Sequence, residues 1–139
     1  MHANPGAEQI KDLLQNARTV AVVGLSDRAY RTSHAIARAL QGFGFKIFPV
    51  NPNLTGPVLG EEPYAKVEEI REPVDIVNVF RSSEKAMPVA QDAVAAGAKA
   101  LWMQSGVVNE EAAAYAKEHG LVVVMDRCIK VDYALLASR

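Results

Sequence analysis

Residues 19–41, TVAVVGLSDRAYRTSHAIARALQ, read as a strand, a glycine turn and a helix in direct succession. Residues 19–24 form an apolar run without polar alternation, the pattern of a strand buried on both faces. Ser33 can cap a helix through Gln41, with Ile36, Ala37 and Leu40 on one face, and Gly42 and Gly44 stop it. The strand pattern recurs at 46–51, 75–80, 100–104 and 121–125, and helical patterns fill the gaps. Residues 64–70 follow Pro63 as a short helix. Ser83 can cap a helix ending at Gly97, with Pro88 disturbing its first turn. Asn109 can cap another, with Glu110 and Glu111 at the positive end of its dipole. Helices holding Ile10, Leu13, Leu14 and Ala17, and residues 130–137, flank the rest. Strand–helix alternation implies right-handed βαβ crossovers. The expected fold is one α/β domain over 1–139: a Rossmann-like, doubly wound, five-stranded parallel sheet, strand order 3-2-1-4-5, with helices on both faces.

The composition agrees with this. Of 139 residues, 50% are hydrophobic, enough for a core without disulfides or structural metal. Lys plus Arg is 15 and Asp plus Glu is 16, a formal net charge of −1, so no bulk positive field collects nucleic acid or anionic membrane. The single cysteine, Cys128, excludes an intramolecular disulfide and suits a reducing compartment. No apolar run reaches the ~18 residues of a membrane span, and MHANPGAEQIKDLL lacks the pattern of a signal peptide. The expected location is the cytoplasm, with neither nucleic acid nor membrane as partner. His2, His34 and His119 have no metal-ligand spacing, and no metal is expected.

Ligands of such folds bind at the carboxyl ends of the strands. There the sequence is polar: Gly24-Leu25-Ser26-Asp27-Arg28, Asn51-Pro52, Phe80-Arg81, Gln104-Ser105-Gly106 and Asp126-Arg127-Cys128. The dinucleotide fingerprint GxGxxG is broken, since positions 24, 26 and 29 are Gly, Ser and Ala. The acid that would bind an NAD ribose is replaced by Asn51. Arg28, Arg31 and Arg81 are expected to converge on one edge, where guanidinium forks suit phosphate oxygens. Backbone N–H groups of Ser26 and its neighbours are expected to face a pyrophosphate. An NAD(P)-dependent enzyme and a ligand-free interaction module stay open as alternatives to a nucleotide-type ligand.

TVAVVGLSD, PVNP, DIVNVFRSSE, ALWMQSGV and VVVMDRCIKVD together resemble the small stand-alone CoA-binding protein family. That family is similar to the CoA-binding N-terminal domain of the succinyl-CoA synthetase α subunit. The resemblance implies coenzyme A, or an acyl-CoA, as ligand. It implies contacts from Gly24, Leu25, Ser26, Asp27, Arg28, Ala29, Arg31 and Ser33 in the first loop, and from Asn51 and Pro52 after the second strand. Phe80 and Arg81 follow from the third strand, and Met103, Gln104, Ser105 and Gly106 from the fourth. The ligases place a phosphorylated histidine on a further domain, for which these 139 residues have no room. The expectation is therefore CoA binding without catalysis and with no identified protein partner.

Overall fold

A computed structural model describes residues 1–138. Five parallel strands form the sheet: β1 (Thr19–Val23), β2 (Lys46–Val50), β3 (Ile76–Val79), β4 (Ala100–Met103) and β5 (Val122–Val124). The helices are α1 (Ala7–Asn16), α2 (Thr32–Gly42), α3 (Ala86–Ala95), α4 (Glu110–Glu118) and α5 (Ile129–Asp132), the last continuing as a π-helical turn, Tyr133–Ala137. The strand period of two divides the core. Val20, Val22, Ile47, Ile76 and Trp102 pack under α1, α2 and α5; Ala21, Val23, Phe48, Val77, Val79 and Leu101 pack under α3 and α4. Burial of both faces explains why the strands read as unbroken apolar runs.

The strand order is 2-1-3-4-5. The expected order set residues 75–80 outside β2, whereas β3 lies between β1 and β4. The place outside β2 is taken by one residue: Tyr64 makes a parallel bridge with Val50, its N–H donating to the Pro49 carbonyl and its carbonyl accepting from the Asn51 N–H, both at 2.9 Å. Counted as a vestigial strand, that bridge restores 3-2-1-4-5-6, the Rossmann order. Two residues account for the arrangement. Pro49 lacks an N–H and is tolerated at a strand edge but not in the middle of a sheet. Asn78 is wholly buried and spends its amide on the Trp102 carbonyl (3.3 Å) and Gln104 Oε1 (3.1 Å), which requires a neighbour strand. The expected helix at 64–70 is correspondingly reduced to a single 3-10 turn, Val67–Glu69.

Polar side chains tie the sheet's ends. At the amino edge the Asp75 carboxylate accepts from the N–H of Arg18 (2.7 Å) and Thr19 (3.2 Å) and pairs with Lys99 (3.4 Å). Beyond β5, Asn4 lies against Met125, its Nδ2 donating to the Met125 carbonyl (2.9 Å) and its Oδ1 accepting from the Met125 N–H (2.8 Å). No described helix is long and apolar enough to cross a membrane.

Candidate functional site

The chain turns from β1 into α2 through a loop fastened to itself. Gly24, at φ +91°, donates its N–H to the Val50 carbonyl at 2.8 Å. A Cβ on Gly24 would stand 2.5 Å from the Phe80 carbonyl oxygen, so only glycine lets the ends of β1 and β3 approach this closely. Ser26 Oγ accepts from the Arg28 N–H (3.1 Å), and His34 Nδ1 meets the Ser26 carbonyl (2.9 Å). Ser33, expected to cap the helix, lies inside α2 instead, and its buried Oγ accepts from the Ser26 N–H at 3.0 Å. That bond consumes the Ser26 amide, which was expected to face a phosphate.

The donors that remain are those of α2. Its N-cap is Arg31, with no side-chain cap, so first-turn N–H groups are left for a ligand or water. They open into a cleft of about 430 Å³. Gly24, Ser26, Asp27, Arg28, Arg31 and Ser33 line one side, and Asn51 and Phe80 the other. Asn51 is fixed by donating from Nδ2 to the Leu25 carbonyl (3.1 Å) and accepting at Oδ1 from the Asn53 N–H (3.0 Å). Thr32, Asn53 and Leu54 line the cleft as well, unforeseen in the sequence. Thr32 is legible in hindsight as the first residue of the helix, and Asn53 as the third position of an Asx turn.

Arg81 does not join Arg28 and Arg31. It follows Val79 with the same strand parity, so it emerges on the α3 face, while Phe80 emerges on the α2 face. It lines a second, more apolar groove of about 520 Å³ between α3 and residues 65–67, floored by Val23 and Val50, with Pro52 at the rim. Three strand ends thus supply both depressions: Val23 and Gly24, Val50 and Asn51, Arg81 and Phe80 face the groove and the cleft respectively.

The other expected residues lie elsewhere. Leu25 and Met103 are fully buried, and the Leu25 carbonyl is already taken by Asn51 Nδ2, so neither lines the cleft. Ala29 is exposed on the loop outside the cleft lining. Gln104 Oε1 accepts from Asn78 and from the Ile129 N–H (3.2 Å), joining β3, β4 and α5. Ser105 and Gly106 are exposed, and the Gly106 N–H donates to Asp126 Oδ1 at 2.7 Å. The end of β4 is outside both depressions. Among the described residues no group of three or more His, Cys, Asp or Glu side chains could hold a metal. A further cleft of about 350 Å³, beside Phe43 and Tyr133, opens at the amino edge, away from the α2 N-terminus.

Residues 18–134 match the CoA binding domain family, a span that includes all five strands and both depressions. The chain belongs to that family. The CoA-binding domain is 47% identical over 132 residues to the uncharacterised Bacillus subtilis protein YneT, covering 95% of this chain and 97% of the other. It superposes on the Thermus thermophilus protein ID.343 with TM-score 0.90 and 34% identity, covering 95% and 99% of the two chains. It also resembles part of a larger enzyme, the dinucleotide-forming acetyl-coenzyme A synthetase 1 of Ca. Korarchaeum cryptofilum. That likeness has TM-score 0.69 and 27% identity, over 81% of this chain and 26% of the synthetase. The family and this relationship agree with the resemblance read from the sequence.

Proposed function

We propose that this CoA-binding domain holds coenzyme A, or an acyl-CoA, across the carboxyl edge of the sheet and carries out no chemistry on it. The observation that carries the reading is the union of an uncapped helix N-terminus with Arg28 and Arg31 on a single cleft. Backbone N–H groups and the helix dipole favour an anion, and guanidinium groups add charge-assisted hydrogen bonds, so the cleft fits a pyrophosphate. Ser33 is engaged by Ser26, and among the described residues Asp27 is the only carboxylate lining the cleft, an arrangement suited to binding rather than to paired acid–base chemistry.

Calorimetry with CoA, acetyl-CoA, NAD, NADP and ATP tests this. CoA and acetyl-CoA are expected to bind in preference to NAD. Tighter binding of NAD would overturn the reading and restore the nicotinamide alternative.

A further inference from the structure

The cleft of about 350 Å³ at the amino edge lies where α1 and α2 both end and where Tyr133 opens the π-helical turn. The Tyr133 ring is held on two sides: Phe43 stacks on it with centroids 4.3 Å apart, and Phe45 meets it edge-on at 5.5 Å. Tyr133 is only 9% exposed, yet its hydroxyl makes no hydrogen bond among the described residues. A phenol buried this deeply ordinarily has a partner. Tyr133 lines the cleft, so the cleft is where a partner can stand.

The same cleft calls for both signs of charge. A helix dipole leaves partial negative charge at the carboxyl end, commonly answered by a basic residue in the last turn, and neither α1 nor α2 has one. The Arg18 N–H would have closed a further turn of α1 onto the Leu14 carbonyl. Asp75 takes that N–H at 2.7 Å, and the Leu14 carbonyl is left without a donor among the described residues. An ammonium group suits this end of the cleft. Arg18 lines the cleft too, with an exposed side chain in no ion pair among the described residues, and its guanidinium suits a carboxylate. Phe43 is half-buried, with one ring face on Tyr133 and no aromatic partner on the other.

We infer that this cleft is a second ligand site, for a free α-amino acid with an aromatic side chain. The ammonium meets the carboxyl ends of α1 and α2, the carboxylate meets Arg18, and the ring lies on the open face of Phe43. The Tyr133 hydroxyl bonds one of the two charged groups. A lone anion is opposed by the helix ends and a lone cation by Arg18, so a zwitterion is the class that fits. The site shares no lining residue with the cleft or the groove at the carboxyl edge, and the inference stands apart from the CoA reading.

The test removes one charged end at a time. L-phenylalanine, phenethylamine and 3-phenylpropionate share the ring, but the second lacks the carboxylate and the third the ammonium. Calorimetry with the full chain is expected to show L-phenylalanine binding at least about tenfold more tightly than either, the loss of one charge-assisted contact. Tyr133→Phe keeps both ring contacts, and Arg18→Gln alters an exposed side chain. Each should weaken L-phenylalanine by about tenfold or more with the ligand-free melting midpoint unchanged. Saturating CoA should not displace the amino acid. No binding of L-phenylalanine at millimolar concentration overturns the site. Equal binding of phenethylamine or 3-phenylpropionate overturns the zwitterion assignment. Unchanged affinity in both variants, or displacement by CoA, puts the amino acid elsewhere and overturns the inference as well.

Discussion

Gly24 is required by the fold before any ligand arrives. Its positive φ and the Phe80 carbonyl 2.5 Å from its virtual Cβ mean that even a methyl group forces β1 and β3 apart. Gly24→Ala should cost about 2–4 kcal/mol and lower the ligand-free melting midpoint by roughly 7–14 °C. A midpoint within about a degree of wild type would show that the loop yields freely, a shift too small for even 1 kcal/mol in a chain of this size. The glycine was legible in the sequence as a turn glycine, but its partner was not, because Phe80 comes from another βαβ unit. The same holds for Ser26. Its position after the strand marked it as a loop residue, yet the fate of its amide depends on Ser33, the second residue of α2. Arg81 was misplaced for a reason present in the sequence: it shares strand parity with Val79, so it belongs to the opposite face from Phe80.

Among the elements, the amino ends of β1, β3 and β4 meet at Asp75. Burial raises the pKa of its carboxyl, but the N–H groups of Arg18 and Thr19, followed by Lys99, outweigh that and hold it below the ordinary aspartate value. A carboxyl depressed by folding stabilises the protein above its unfolded-state pKa, near 3.9, and loses that contribution as the pH falls through its folded-state value. Asp75→Asn should therefore cost about 1–2 kcal/mol at neutral pH, with the gap to wild type closing below about pH 4. Urea titrations at several pH values read this directly; a gap unchanged at pH 3 would remove the carboxylate from the account. Individual strands and helices were legible wherever burial on both faces left a pure apolar run. Their order was not, because the single bridge at Tyr64 carries no strand pattern and Pro49 had to be weighed as an edge signal.

The molecule as a whole has a formal charge of −1, so it does not draw a polyanion by net attraction. Whatever pull it exerts comes from Arg28 and Arg31 beside the cleft and Arg81 and Lys85 beside the groove, which are exposed or half-exposed. CoA affinity should accordingly fall several-fold as ionic strength rises from about 0.01 M to about 0.15 M and the screening length shrinks from about 30 Å to about 8 Å. Affinity independent of salt would leave the α2 amides as the sole anchor. The two ends of the sheet have a different consequence. A bare parallel edge is a template on which another chain can add a strand. Here Pro49 offers no N–H at one edge and Tyr64 already takes its carbonyl, while at the other Asn4 fills both backbone groups of Met125. Folded copies that meet are thereby steered to helix and loop surfaces, and the point of weakness toward aggregation is the short segment around Asn4: once it peels from Met125, the end of β5 is open to an intruding strand.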